Sequence, residues 1–195
     1  VNGDAIYNEQ GNANINVSAG EIIGGISAIA TGGEGTIQIT GGTITGGTGS
    51  GIYISGNMTT TVTGGDIAGT LGIELAGNAN VTIENGNISG KEVGIRTFDG
   101  TLEIKGGKII GNVYDAISVY KEGTIKVSGG ELTGNNSGIY MQDTATGTIS
   151  VENGTINGKQ NYGIYNNSSA IVDIYGGTIT GGTSQYGGNG TINVH

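Results

Sequence analysis

An all-β solenoid, coiling once per 21 to 24 residues with three short parallel strands in each coil, is the fold class this sequence predicts. Three observations carry the prediction. One phrase recurs: a small residue then Ile, a gap, Thr-Ile-x-Val, Gly-Gly, and x-Ile-x-Gly. Its closing glycines fall at Gly24, Gly46, Gly69, Gly90, Gly111, Gly134, Gly158 and Gly181. The apolar residues are mostly Ile and Val at alternating positions, the period of a strand with one buried face. Glycine is extreme at 43 residues while proline and cysteine are absent, which argues against collagen and excludes a disulfide scaffold. Gly-rich chains poor in aromatics are often disordered, but so regular a spacing of β-branched residues opposes that reading.

The elements follow in order around each coil. The first strand carries Ile6, Ile29, Ile52, Ile73, Ile95, Ile117, Ile139 and Ile164, each preceded by Ala or Gly, as a tight corner beside a packed core requires. The second supplies inward pairs such as Ile37 with Ile39, Val81 with Ile83, Ile125 with Val127 and Val172 with Ile174. A bend follows at Gly20, Gly42, Gly65, Gly86, Gly107, Gly130, Gly154 and Gly177, a position so uniform that it predicts φ > 0. The third strand contributes one inward residue per coil, among them Ile44, Ile88, Leu132 and Ile179. Stacked in register, about 4.8 Å apart, the coils build three parallel sheets around a dry core. Parallel crossovers make right-handed winding the expectation. Residues 1–195 form a single domain of about eight coils plus ends.

The register makes a second prediction. Residues at matching positions in adjacent coils become neighbours, which pairs Glu74 with Arg96, Glu84 with Lys105, Glu103 with Lys126 and Lys108 with Glu131. Exposed pairs of this kind contribute about 0–1 kcal/mol each, so they tune the fold rather than hold it.

With this coil the chain resembles, along essentially its whole length, the right-handed parallel β-helix of the pectin-lyase-like superfamily. The phrase Gly-Gly-Thr-Ile-Thr-Gly-Gly at Gly41–Gly47, repeated at Gly176–Gly182, is similar to Gly/Thr-rich solenoid segments of bacterial secreted and cell-surface proteins. The resemblance implies an extracellular or cell-surface setting. It leaves activity open, because the superfamily holds lyases, glycosidases, adhesins and tailspikes. Its enzymes place clustered acids, often with Ca²⁺, on the outer face of the first strand and the loop before it.

On that face the outward residues are Tyr7, Ala30, Tyr53, Glu74, Arg96, Ser118, Tyr140 and Tyr165. Glu74 and Arg96 are expected to pair with each other. Asp115, in the preceding loop, meets Val93 and Ser137 at the matching positions and lacks an acidic partner. No catalytic or metal-binding constellation emerges and no cofactor is expected, so the chain reads as a non-enzyme. Gly32–Gly35 and Gly187–Gly190 resemble half of a calcium-binding repeat, but Ile37 and Ile192 stand where its Asp belongs. His195 is the only histidine and sits at the terminus, and without another His or a Cys no nucleophilic triad is expected.

A net charge of −9, from 7 basic and 16 acidic residues, disfavours nucleic acid and anionic membrane as partners. No apolar run approaches the roughly 18 residues of a membrane span. The leading functional expectation is therefore a structural or adhesive solenoid: a stalk, fibre subunit or adhesin segment. The alternative is a carbohydrate-binding or carbohydrate-processing module. It rests on Tyr114, Tyr140, Tyr162 and Tyr165, which fall on or just before the first strand in three consecutive coils and could contact a glycan. Ice binding is a minor third reading. Thr43 with Thr45 and Thr178 with Thr180 point outward on the third strand, but Asp66, Lys108 and Glu131 interrupt that face. Neither end shows a capping helix, and Val1-Asn2-Gly3 reads as the tail of a third strand. Head-to-tail self-association, or continuation into a longer solenoid, is the expected consequence.

Overall fold

Three columns of short strands climb the molecule in the computed structural model, which describes residues 2–195. Val1 lies outside the described residues. Gly3 stacks where a closing glycine is expected, since its carbonyl accepts the Gly25 N–H at 2.7 Å, although Asn2 and Gly3 are not themselves in a strand. The first-strand column runs from Ile6–Asn8 through Ile29–Thr31 and Ser50–Ile54 to Ile139–Met141, Tyr162–Asn166 and Ser184–Gly187. The second runs from Asn12–Val17 to Thr191–Val194, and the third from Glu21–Gly24 to Thr178–Gly181. Every pairing among the described strands is parallel and joins a coil to its neighbour, in the register that the repeat predicts. Ile29 lies beside Ile6 and Ile52, and Ile139 beside Ile117 and Ile164.

The expected three sheets become two. The nine second strands form one, whereas the first and third columns merge into a single sheet of fifteen strands. The merger happens at Asp66–Leu75, where only three residues separate Gly69 from Ile73 and the backbone has no room to loop out. The next coil follows it as Asn87–Thr97 and absorbs its one extra residue as an irregularity between Gly90 and Val93.

The core is one continuous stack. Ile29, Ile52, Ile73, Ile95, Ile117, Ile139 and Ile164 are fully buried in one column, and the second and third strands add Ile37, Ile39, Val127, Leu132 and their equivalents. Each such side chain contributes about 1.5–3 kcal/mol by leaving water. In the end coils the equivalent Ile6, Ile15, Ile22 and Ile192 are only partly buried. Thr60 takes an inward slot between Ile37 and Val81, and its buried hydroxyl has no hydrogen-bond partner.

Two glycine columns shape the corners. The eight bend glycines all have positive φ, from 80° at Gly107 to 107° at Gly86, as a left-handed corner demands. The closing glycines are needed for a different reason, close approach: a Cβ at Gly134 would stand 1.7 Å from the Ser137 carbonyl oxygen.

The charged residues keep the predicted register but choose other partners. Arg96 does reach Glu74, at 3.7 Å. Lys126 lies beside Glu103 on the ladder yet turns to Glu152 at 2.8 Å, and Lys105 bonds Glu103, two residues before it in the same coil, at 3.2 Å. Lys108 and Glu131 are register partners that form no ion pair among the described residues.

Candidate functional site

The outer face of the first-strand column changes character along its length, because each coil places one outward residue and one loop residue there. Tyr140 and Tyr165 occupy the same outward position in consecutive coils. One strand spacing brings their rings into stacking, with centroids 5.5 Å apart and planes 4° from parallel. Tyr162 opens the same strand, two residues before the column Ile164, and sets its ring 4.9 Å from Tyr165 at 33°. These three rings, with Asn136, Ser137 and Asn161, line an open cleft of about 300 Å³.

A polar ladder forms the wall. The Asn161 amide donates to Asn136 Oδ1, and the Asn136 amide donates onward to Asp115 Oδ1 at 3.1 Å. Asp115 is 5% exposed, and it also accepts from the Ser137 N–H and the Ser118 hydroxyl, both at 3.0 Å. Burial raises its pKa above the ordinary carboxylate value, and these three donors only partly oppose that rise. The Tyr140 hydroxyl is shifted upward too, first by burial and then by its neighbours Tyr165 and Asp115.

Of the four tyrosines expected on this strip, Tyr140, Tyr162 and Tyr165 come together. Tyr114 does not join the stack. It is 50% exposed and lines an adjoining cleft of about 300 Å³ with Arg96, Asp115, Ser118, Tyr120 and Tyr140. Tyr140 and Asn136 border both clefts. The Arg96 guanidinium lies 5.6 Å from the Tyr120 ring centroid. Its Nε is buried without a hydrogen-bond partner. Sequence reasoning missed Tyr120, Asn136 and Asn161. The asparagines had one visible signal, their recurrence in the loops of consecutive coils.

Chemically, the clefts offer aromatic faces and amides rather than opposed acids. Asp115 is the one carboxylate lining either, and three donors already surround it. Glu74 is held between Arg96 and the Ser50 hydroxyl, the latter at 3.2 Å. His195 sits on the second-strand column, 3.1 Å from Asp173 and stacked on Tyr175. Among the described residues no group of three or more His, Cys, Asp or Glu side chains converges as metal ligands would. On the third strand the register sets Thr43 beside Asp66, and Lys108 beside Glu131. Among the described residues no helix is long and apolar enough to cross a membrane.

Residues 24–179 match the family model described as right handed beta helix region. No curated protein and no solved structure matches the chain.

Proposed function

Because the chain belongs to the right-handed β-helix family, whose members include enzymes and non-enzymes, we propose that it is a non-catalytic structural or adhesive solenoid of a bacterial cell surface or secreted protein. The observation that carries this reading is the state of the carboxylates on the first-strand face. Glu74 is held by Arg96 and Ser50, Asp115 by Ser118, Asn136 and Ser137, and Asp4, which lines a cleft together with Glu74, accepts the Ser27 N–H, so each of these carboxylates is already engaged by the chain's own groups. Glycosidic cleavage ordinarily needs two carboxyl groups flanking the bond. Incubation with a panel of neutral and acidic polysaccharides, followed by assays for new reducing ends and for unsaturated products, is expected to show no turnover. Product formation would overturn the reading.

One observation favours a second reading, in which the rod contacts glycans. Parallel aromatic faces beside a ladder of amides match the two needs of a sugar ring, an apolar face to cover and hydroxyls to bond. On a glycan array the chain is then expected to retain a subset of sugars. Tyr165→Ala, which removes the ring shared by both tyrosine contacts, should weaken that retention about tenfold or more. Retention unchanged by that substitution would return the tyrosines to a structural role.

A further inference from the structure

A second aromatic cleft lies on the same face, in the first three coils. Tyr7 pairs with Ala30 and Ala30 with Tyr53, so two tyrosines stand on alternate rungs with only a methyl between them. Where consecutive rungs both carry tyrosine, at 140 and 165, the rings stack on one another. Here the middle ring is missing, and a cleft of about 310 Å³ opens over Ala30. Ile26, Asp4 and Glu74 also line it. Tyr7 and Ile26 are 64% and 49% exposed, apolar surface that the chain itself leaves uncovered.

We propose that this cleft binds a quaternary ammonium cation of the choline type. A group seated on the rung of Ala30 lies one strand spacing, about 4.8 Å, from the rung of either tyrosine. That is inside the roughly 6 Å reach of a cation–π contact. The lining carries charge of the right sign, since Asp4 and Glu74 are both on it and, of the two, Glu74 alone forms an ion pair among the described residues, with Arg96. The choice of a quaternary cation over a protonated amine or guanidinium follows from the lining. Asp4 already accepts the Ser27 N–H at 2.7 Å, and Glu74 is engaged by Ser50 and Arg96. Ring and methyl surface from Tyr7, Ile26, Ala30 and Tyr53 makes up much of the rest. The methyl groups of a quaternary ammonium cover that ring and methyl surface without setting an N–H donor against it, which an ammonium or guanidinium seated on the same rung would do. This site is independent of the Tyr140–Tyr165 stack and of any glycan bound there.

The test is a titration of the whole chain with choline chloride, followed by calorimetry and by NMR of the Ala30 and Ile26 methyl groups. A parallel titration uses the neutral analogue in which tert-butyl replaces trimethylammonium. Saturable binding with shifts at both methyls is expected, weaker by roughly tenfold in Tyr7→Ala and Tyr53→Ala. Ala30→Tyr, which fills the empty rung, should abolish binding, and Tyr165→Ala should leave it unchanged. Should Ala30→Tyr fail to fold by circular dichroism, Tyr53→Ala decides the matter alone. Absence of saturable shifts would overturn the proposal. So would equal affinity for the neutral analogue, or tighter binding of arginine ethyl ester than of choline.

Discussion

Asp115 concentrates the physical chemistry of this face in one residue. Its carboxyl is removed from solvent, and its two oxygens receive three hydrogen bonds from Ser118, Asn136 and Ser137. Because burial outweighs those donors, the folded protein holds the Asp115 proton to higher pH than the unfolded chain does. The sign of the linkage follows. Stability from this group is present at and below the ordinary value of 3.8, falls as pH rises above it, and levels off once the buried carboxyl has ionised. Asp115→Asn keeps an oxygen for Asn136 and Ser137 and removes the titration. Urea midpoints measured from about pH 4 to about pH 7 are expected to fall less steeply in the variant than in the parent. Identical profiles would mean that the carboxylate is solvated and the cleft more open than the structure shows.

Single strands here are too short to stand alone, and the corners between them decide whether neighbouring coils meet. Gly134 closes the third strand of the coil whose loop carries Asn136 and Ser137. A Cβ there would overlap the Ser137 carbonyl, so the backbone must shift by more than an ångström to admit one. Gly134→Ala is expected to cost about 2–4 kcal/mol in urea unfolding and to loosen the wall of the tyrosine cleft. A change within about 0.5 kcal/mol would show the corner to be plastic. Both glycine columns and the inward isoleucines were legible in the sequence, because they recur at fixed places in every coil. The merged sheet was not. It depends on the loop between Gly69 and Ile73 being one residue shorter than the next shortest, a difference that alters backbone pairing without altering the repeat.

For the molecule as a whole, strand pairing among the described residues runs only between a coil and its neighbours, so stability sums along the stack rather than radiating from a centre. Interior coils are covered on both sides and end coils on one. Ile95 is fully buried between Ile73 and Ile117, while Ile15 in the first coil is only partly buried. Ile95→Ala is therefore expected to cost about 2–5 kcal/mol in global unfolding, and Ile15→Ala markedly less. Amide hydrogen exchange should show the same gradient, slowest in the central coils and fastest in the first and last. Uniform protection along the axis would indicate that the coils unfold as one cooperative body.

The sequence by itself determined the period of the coil, the residues that face inward and the neighbour of nearly every strand position. It could do so because a stack of equivalent coils turns spacing along the chain directly into proximity in space. It also placed Tyr140 over Tyr165, since both share one rung position. Only the tertiary structure decided what each side chain does there. Lys126 chooses Glu152 over Glu103 by the reach of its flexible side chain, which register does not constrain. Tyr162, which opens its strand, and the Asn136–Asn161 ladder are set at the cleft by loops of differing length, so their meeting depends on the backbone path between strands. Asp115 looked isolated in sequence because its three donors are two neutral side chains and a backbone amide, partners that a search for opposing charges passes over.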